Sequence, residues 1–186
     1  MKTSKYLLFA ILLVQPIYAP PLANAQQPDP ACKTDGPSTA DTLAYINSTL
    51  ANAEPANPFG HARLVYRVSV PLGDTQIVVT ETRIPVIHAP TSTSSQTVPA
   101  VALKCDPDLL SWTNGIPILG FYCKGLRNCV AERNPDQDAS YGKMIVLSLN
   151  IDSEQLGRLG RAFSHLIALL QKQYNETHTD TDPFSK

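Results

Sequence analysis

The segment Ile116–Val130 has the sequence IPILGFYCKGLRNCV, and we expect the rest of the chain to be built around it. It combines an apolar run with a turn and with two of the four cysteines of the chain. The five residues between Cys123 and Cys129 include a glycine and an asparagine, which favour turns because they accept a positive φ or bond to the backbone. The segment therefore predicts a β-hairpin with the strands Ile116–Cys123 and Cys129–Glu132, closed at its neck by a disulfide.

The N-terminus has the pattern of a secretory signal peptide. Lys2 and Lys5 precede the apolar run Tyr6–Val14, prolines follow it, and Ala23–Ala25 supplies small residues in an A-x-A arrangement. The apolar run is well short of the roughly 20 residues that cross a bilayer. We therefore expect residues 1–25 to be removed, the chain to be exported to the periplasm or the extracellular space, and the mature chain to lack a membrane span.

The mature chain has the length of one domain. Removal of 25 residues from 186 leaves 161, and the loss of two lysines leaves 13 basic against 16 acidic residues, a net charge of −3. Nucleic-acid binding is not expected, because the chain has no dense basic run or stripe. We expect an irregular lead-in at 26–38, a single globular domain at 39–174 and a disordered tail at 175–186.

The cysteine count favours disulfides. An even number of cysteines in an exported chain indicates oxidised pairs, and four cysteines allow three pairings, among which sequence alone does not choose. We favour Cys123–Cys129 as the local pair and Cys32–Cys105 by elimination. Zinc is disfavoured because the closest cysteines are too far apart for a ligand pair, and the lack of a C-x-x-C motif disfavours thiol–disulfide catalysis.

A short helix and a hairpin open the domain. Thr39–Ala51 has apolar residues on one helical face behind a serine or threonine cap. Apolar and polar residues then alternate in residues 62–70 and again in Thr75–Thr82, on either side of a Pro-Leu-Gly-Asp turn. This pattern predicts two antiparallel strands.

The middle of the chain gives weaker signals. Ala89–Pro99 is rich in Pro, Ser and Thr and is expected to be a mobile surface loop. A strand is predicted at Val98–Cys105, and Trp112 is expected in or beside the core. Lys143–Ile151 is apolar on both faces, which predicts a strand in the interior of the sheet.

The C-terminal helix is the clearest element of the sequence. Asp152 is a suitable N-cap, and apolar residues from Leu156 to Tyr174 form one stripe at helical spacing. Gly160 lies near this stripe and would allow the helix to approach the sheet closely. The helix is expected to end at Tyr174.

The order of elements predicts an α+β fold. We expect an antiparallel curved sheet or partial barrel of about five to six strands, with a short N-terminal helix and a long C-terminal amphipathic helix. The layout is similar to that of pleckstrin-homology-like modules, in which a terminal helix plugs an antiparallel barrel. No motif accompanies this resemblance, so it implies a fold and no function.

Catalytic motifs are missing from the sequence. There is no G-x-S-x-G elbow and no cofactor loop, and no cofactor is expected. The aspartate pairs Asp106/Asp108 and Asp136/Asp138 adjoin prolines, where aspartate usually caps turns. A hydrolase would need a site assembled only in three dimensions, for which these pairs and the histidines His61 and His88 are the raw material.

A cationic surface is the second candidate site. It would bind an anionic ligand or a lipid headgroup, although such a row is more often the solvated face of an amphipathic helix. Its residues lie on the polar face of the terminal helix and in the Cys123–Cys129 turn: Arg158, Arg161, His165, Lys172, Lys124 and Arg127.

The leading hypothesis from the sequence is an exported, disulfide-stabilised, non-catalytic module that binds a protein or a small ligand. The alternative is a small secreted hydrolase. Asn47 and Asn175 each begin an N-x-T pattern for glycosylation, which matters only in a eukaryotic secretory pathway. The ligand and the oligomeric state do not follow from the sequence.

Overall fold

The computed structural model describes residues 32–54, 56–57, 60, 62–86, 88–111, 115–134 and 137–178. These residues form two helices and eight strands: α1 (Thr39–Asn52), β1 (Ala62–Ser69), β2 (Gln76–Pro85), β3 (Ser92–Pro99), β4 (Asp108–Ser111), β5 (Pro117–Tyr122), β6 (Val130–Arg133), β7 (Ser140–Gly142), β8 (Met144–Ser148) and α2 (Ser153–His178). The predicted signal peptide, Trp112, His61 and Asp136 lie outside the described residues.

The strands form two antiparallel sheets. The larger sheet has the order β1-β2-β3-β6-β7, and the smaller sheet has the order β4-β5-β8. The predicted α+β class is confirmed, with its short N-terminal and long C-terminal helix. The eight strands exceed the predicted five to six, and the sheets do not close into the barrel of the pleckstrin-homology-like modules.

The predicted hairpin after α1 is confirmed. β1 and β2 pair along their length, and in the turn between them Gly73 has a φ of 75°, which favours glycine. α1 begins where the sequence predicts, because Ser38 Oγ accepts a hydrogen bond from Asp41 N at 3.2 Å.

The free edge of β1 is covered by the α1 side chain Asn47. Its Nδ2 donates to Val68 O at 2.8 Å, and its Oδ1 accepts from Val68 N at 2.9 Å. One side-chain amide therefore satisfies both backbone groups of an edge residue, which would otherwise invite pairing with another chain. The same amide is the acceptor of the predicted glycosylation pattern, and in the folded chain its nitrogen is engaged.

Replacement of Asn47 by alanine is expected to lower the free energy of unfolding by about 1 to 3 kcal/mol, because two partly buried backbone groups lose their partners. Chemical denaturation of the variant measures this loss. The exposed neighbour Ser48, replaced by alanine, is the control and should change stability little. Equal stability of the two variants would contradict the role of Asn47.

The segment Ile116–Val130 does not form the predicted hairpin. β5 belongs to the smaller sheet and β6 to the larger one, so the hairpin prediction was wrong. Tyr122 pairs with Met144 and Val130 pairs with Gly142, which leaves residues 123–129 as an excursion opposite the single residue 143. The Cys123–Cys129 disulfide closes this excursion at the junction of the two sheets.

The predicted loop at Ala89–Pro99 is also corrected, since most of it forms β3 in the middle of the larger sheet. The predicted strand Val98–Cys105 is wrong as well, because a short 3-10 helix, Ala100–Ala102, follows β3. Sequence alternation missed β3 because its residues from Ser92 to Thr97 are polar on both faces. Its hydroxyl side chains remain compatible with a strand, in which β-branched threonine is favoured.

The strand predicted at Lys143–Ile151 is not in the sheet interior. β8 lies at one edge of the smaller sheet, although Ile145 and Leu147 are buried as expected. At the end of this strand, Ser148 N donates to the hydroxyl of Tyr66 in β1 at 3.1 Å. This hydrogen bond ties the smaller sheet to the larger one.

Helix α2 packs against the core through its predicted apolar stripe. Phe163 is 1% exposed, and its ring lies 5.4 Å from that of Phe121 in β5. A Cβ at Gly160 would lie 3.2 Å from Pro107 Cγ, so this glycine does allow the close approach. The helix continues through His178, beyond the predicted end at Tyr174, so residues 175–178 of the predicted disordered tail are helical. Residues 179–186 of that predicted tail lie outside the described residues.

Both favoured disulfides, Cys32–Cys105 and Cys123–Cys129, are present. Cys32–Cys105 fastens the lead-in to the body of the fold, and His165 of α2 adds a second attachment. Its Nδ1 lies 2.9 Å from Lys33 O, and its Nε2 lies 2.8 Å from Pro37 O.

Candidate functional site

The inner face of the larger sheet changes from apolar to polar along its strands. One end carries buried valine and isoleucine side chains beneath the helices, such as Val68, Ile77 and Val98. Further along each strand, the same face turns polar. The polar side chains on it are Tyr66, Glu81, Arg83, Ser94, Gln96, Glu132 and Asn134.

These polar side chains line a cleft of about 300 Å³ between the larger sheet and the edge of the smaller one. Leu64 of β1 and Val146 of β8 form apolar parts of its wall, and Ser148 of β8 also lines it. The cleft has the volume of a small ligand site and the mixed lining that such sites show.

Tyr66 occupies the deepest part of the polar face. Its residue exposure is 7%, and its hydroxyl accepts from Ser148 N. Burial, assisted by the negative charge of Glu81, raises the pKa of Tyr66 well above its usual range. The phenol is therefore neutral in any ordinary buffer and can donate a hydrogen bond to the Glu81 carboxylate.

The two carboxylates of the cleft have different surroundings. Glu81 Oε1 accepts from Arg83 Nε at 2.7 Å, so its charge is largely balanced within β2. Glu132 Oε2 accepts from Ser140 Oγ at 3.2 Å and has no described cation beside it. The cleft is therefore rich in hydrogen-bond acceptors and weakly negative.

The side-chain amide oxygen of Gln96 gives the clearest indication of what the cleft binds. Its Oε1 is enclosed and accepts no hydrogen bond from any described residue. An enclosed amide atom without a partner costs about 1 to 3 kcal/mol relative to a satisfied one. Gln96 therefore gives the cleft a strong hydrogen-bond acceptor to which none of the described residues donates.

The arrangement favours a ligand that donates hydrogen bonds. Carboxylate, amide and hydroxyl oxygens from four strands of the larger sheet converge on a space about the size of a sugar ring, beside two apolar side chains. A ring that bears several hydroxyl groups would supply donors to these oxygens and C–H surface to Leu64 and Val146. The geometry fits binding through many moderate hydrogen bonds.

Sequence reasoning missed this cleft, although one signal was present. In β2 the inward positions run Ile77, Val79, Glu81 and Arg83, so the face that begins apolar ends with two charges. An abrupt change of polarity on one face of a strand can mark the end of the core and the start of a site. The stronger signal in the sequence came from the cationic residues of α2.

The predicted cationic surface is distributed over separate structural elements. On α2, Arg158 contacts Glu154 at 2.7 Å, and Lys172 lies 3.9 Å from Glu176. Both ring nitrogens of His165 lie within hydrogen-bond distance of carbonyl oxygens of the lead-in. Arg161 is exposed, with its guanidinium near Gly157, whereas Lys124 and Arg127 lie in the disulfide-closed excursion and not on the helix. A common ligand for these residues stays a prediction.

The described residues that could form the catalytic site of the alternative hydrolase are also distributed over separate parts of the fold. His88 is exposed in the connection between β2 and β3, and Asp106 and Asp108 lie at the start of β4. Asp138 is exposed before β7. None of these residues lines the polar cleft.

A second, more open surface lies on the outer side of the smaller sheet. It is apolar and is formed by Leu109, Leu110, Ser111, Ile118, Met144 and Val146, around a space of about 720 Å³. Leu109 and Leu110 are about half exposed. Val146 lines both this surface and the polar cleft.

Comparison of the chain with protein-family models, with curated proteins and with solved structures finds no match. The site must therefore be judged by its own chemistry. Among the described residues, no helix is both long and apolar enough to span a bilayer. The same part of the chain contains no cluster of three or more His, Cys, Asp or Glu side chains suited to a metal ion.

Proposed function

We propose that this chain is an exported, disulfide-stabilised, non-catalytic binding module whose ligand is a small, hydroxyl-rich molecule. The ligand site is the polar cleft between β1, β2, β3, β6 and the edge of β8. Two disulfides fit an oxidising compartment, where such bonds form and persist. Export itself rests on the signal-peptide pattern at residues 1–25.

The observation that carries the proposal is the enclosed, unpartnered Oε1 of Gln96. If Gln96 served only stability, an apolar side chain of similar size would fill the same space without leaving an acceptor unsatisfied. Its polarity is useful when a ligand hydroxyl donates to it. The neighbouring acceptors Glu132 and Ser94 extend the same surface for further hydroxyl groups.

The size and charge of the cleft narrow the ligand class. About 300 Å³ holds one or two sugar rings but not a folded peptide segment. The weak negative charge and the excess of acceptors disfavour an anion. A neutral saccharide matches both properties, and the apolar walls at Leu64 and Val146 suit the C–H face of its ring.

Replacement of Gln96 by methionine is expected to separate binding from stability. The variant should raise the free energy of unfolding by about 1 kcal/mol, because the unsatisfied acceptor is removed at similar volume. It should also weaken saccharide binding by about tenfold or more, since a central hydrogen bond is lost. Chemical denaturation and calorimetric titration with glucose, galactose, mannose, N-acetylglucosamine, maltose and cellobiose measure the two effects.

Gln76 offers a matched control, because it lies at the start of β2 on the opposite face of the same sheet. Its replacement by methionine should leave saccharide affinity unchanged. The proposal fails if Gln96→Met binds as the wild type does, or if the variant is markedly less stable. Hydrolysis of maltose or cellobiose by the wild-type protein would instead support the secreted hydrolase.

A further inference from the structure

The outer face of the larger sheet carries a second charged surface, which the cleft does not involve. Alternate residues of β1 point away from the core, and Arg63 and Arg67 are both exposed there. β6 adds a third exposed arginine, Arg133. These three residues, with the hydroxyl side chains between them, are called the arginine face below.

Strand register places the arginines in a defined pattern. Arg67 pairs with Thr80, Thr80 pairs with Ser95, and Ser95 pairs with Arg133, so these four residues form one row across four strands. Three strand spacings separate Arg67 from Arg133 by about 14 Å, and four residues along β1 separate Arg63 from Arg67 by a similar distance. The charges are spread over an extended, open surface.

The arginine face is free of negative charge among the described residues. The outward positions of β1, β2, β3 and β6 contain no aspartate or glutamate. None of the three arginines forms an ion pair with a described residue, whereas Arg83, Arg158 and Lys172 each have one. A chain with a predicted mature charge of −3 thus presents one face on which all charge is positive.

Hydroxyl side chains lie between the arginines, together with the apolar side chains Val65 and Ile84. On the outward side of β2 and β3 the hydroxyl groups are carried by Thr80, Thr82, Thr93, Ser95 and Thr97. No described residue accepts or donates a side-chain hydrogen bond with them. Such a surface can hydrogen-bond to a polyol along its whole length while the guanidinium groups bind carboxylates, to which they are matched in geometry.

We propose that the arginine face binds an anionic polysaccharide, one that carries carboxylate groups along an extended chain. A nucleic acid fits less well. Single-strand binding relies on several aromatic side chains that stack with successive bases, and the described residues of the outer face offer one, Tyr141 of β7, which pairs with Ala131. Strong duplex binding requires neutralisation of more phosphates than three arginines can reach.

This inference is independent of the proposed function, because the two surfaces lie on opposite faces of one sheet. An exported protein with both surfaces could be held on an acidic polymer by its outer face while its cleft remains open to a small saccharide. Loss of binding at one face should leave the other unchanged.

The test compares two triple variants of the full chain that remove the same amount of charge. One carries Arg63→Gln, Arg67→Gln and Arg133→Gln on the arginine face. The other carries Arg158→Gln, Arg161→Gln and Lys172→Gln on the exposed side of α2. Binding to polygalacturonate, neutral dextran and a single-stranded oligothymidine is measured at low and at physiological salt, because screening weakens exposed charge contacts.

The wild type is expected to bind polygalacturonate, more tightly at low salt, and not to bind dextran. The arginine-face variant should bind it at least about tenfold more weakly, whereas the α2 variant should stay within about twofold. Thr80→Val keeps the charge and the volume but removes a central hydroxyl, and it should weaken polygalacturonate binding several-fold while leaving any oligothymidine binding unchanged.

Four results would overturn the proposal. The first is no binding of polygalacturonate by the wild type at low salt, and the second is equal affinity of the arginine-face variant and the wild type. The third is a larger loss in the α2 variant, which would place the anion site on the helix. The fourth is loss of the saccharide assignment, through either tighter binding of oligothymidine than of polygalacturonate or an unchanged Thr80→Val variant.

Discussion

Replacement of Cys32 and Cys105 by alanine is expected to lower the free energy of unfolding by about 4 kcal/mol. The two residues are 73 positions apart, so their disulfide closes a long loop and removes much conformational freedom from the unfolded chain. The bond also holds the lead-in against α2, beside the contacts of His165. Denaturant unfolding of the double variant, followed by circular dichroism, measures the loss.

The second disulfide provides the control. Cys123 and Cys129 are separated by only 6 positions, for which the same reasoning gives about 2 kcal/mol. The double alanine variant at Cys123 and Cys129 should therefore be the more stable of the two. A larger loss there would contradict the loop-entropy reasoning and would indicate that the junction between the sheets depends on this bond in the folded state.

Gln171→Met is expected to lower the free energy of unfolding by about 2 to 4 kcal/mol. Gln171 is 8% exposed, and its Nε2 donates to Ala100 O and to Leu103 O, each at 2.9 Å. Methionine fills similar space but donates nothing. Ala100 O keeps a bond from Leu103 N, whereas Leu103 O would lose its only partner among the described residues.

Gln173, on the same helix, is the control for this change. Its side chain makes no hydrogen bond to the described residues, so Gln173→Met should alter stability little. The contrast with Gln96→Met is sharper still. The same substitution should destabilise the chain at position 171, where both amide hydrogens are used, and stabilise it at position 96, where an enclosed oxygen is unpaired. Equal effects at positions 171 and 96 would contradict the assignment of their roles.

Gln171 and the long disulfide should not act independently. The Oε1 of Gln171 lies 3.7 Å from Cys32 Sγ and 3.8 Å from Cys105 Sγ. Residues that touch usually give non-additive stability changes. A variant that combines Gln171→Met with the loss of this disulfide should therefore differ in stability from the sum of the separate changes.

Local sequence patterns predicted the helices and the first hairpin because each signal lies within a few residues. The cap at Ser38, the alternation in β1 and the apolar stripe of α2 all describe contacts that one element makes with a single core. The two disulfides were also predicted. The short loop between Cys123 and Cys129 favoured a bond between them, and Cys32 and Cys105 were then the remaining pair.

The sheet arrangement could not be predicted in the same way. Whether Ile116–Val130 forms one hairpin or two strands in different sheets depends on partner strands elsewhere in the sequence. These are Met144–Ser148 for β5, and Ser92–Pro99 and Ser140–Gly142 for β6. β3 was hidden because its inward side chains, Ser94 and Gln96, face a cleft and not the core. A polar strand of this kind lacks the alternation that marks a half-buried one.

The cleft was missed for a related physical reason. Tyr66, Glu81, Gln96 and Glu132 come from four strands and meet only through the register of the sheet. The spacing of these four residues along the sequence therefore does not indicate that they lie together. The cationic residues of α2 were easy to find because they share one helix, but most of them have an acidic or carbonyl partner nearby.

An NMR titration of the ¹⁵N-labelled protein with the six saccharides named above tests the proposed cleft site most directly. The side-chain amide of Gln96 reports on the cleft, and that of Gln76 reports on the opposite face of the sheet. We predict that at least one saccharide shifts the Gln96 amide signals and the backbone signals around Ser94 and Glu81, and leaves Gln76 unchanged. The proposed ligand site is wrong if no saccharide shifts the Gln96 signals, or if a bound saccharide shifts only residues elsewhere, such as Leu110 and Met144 on the apolar surface.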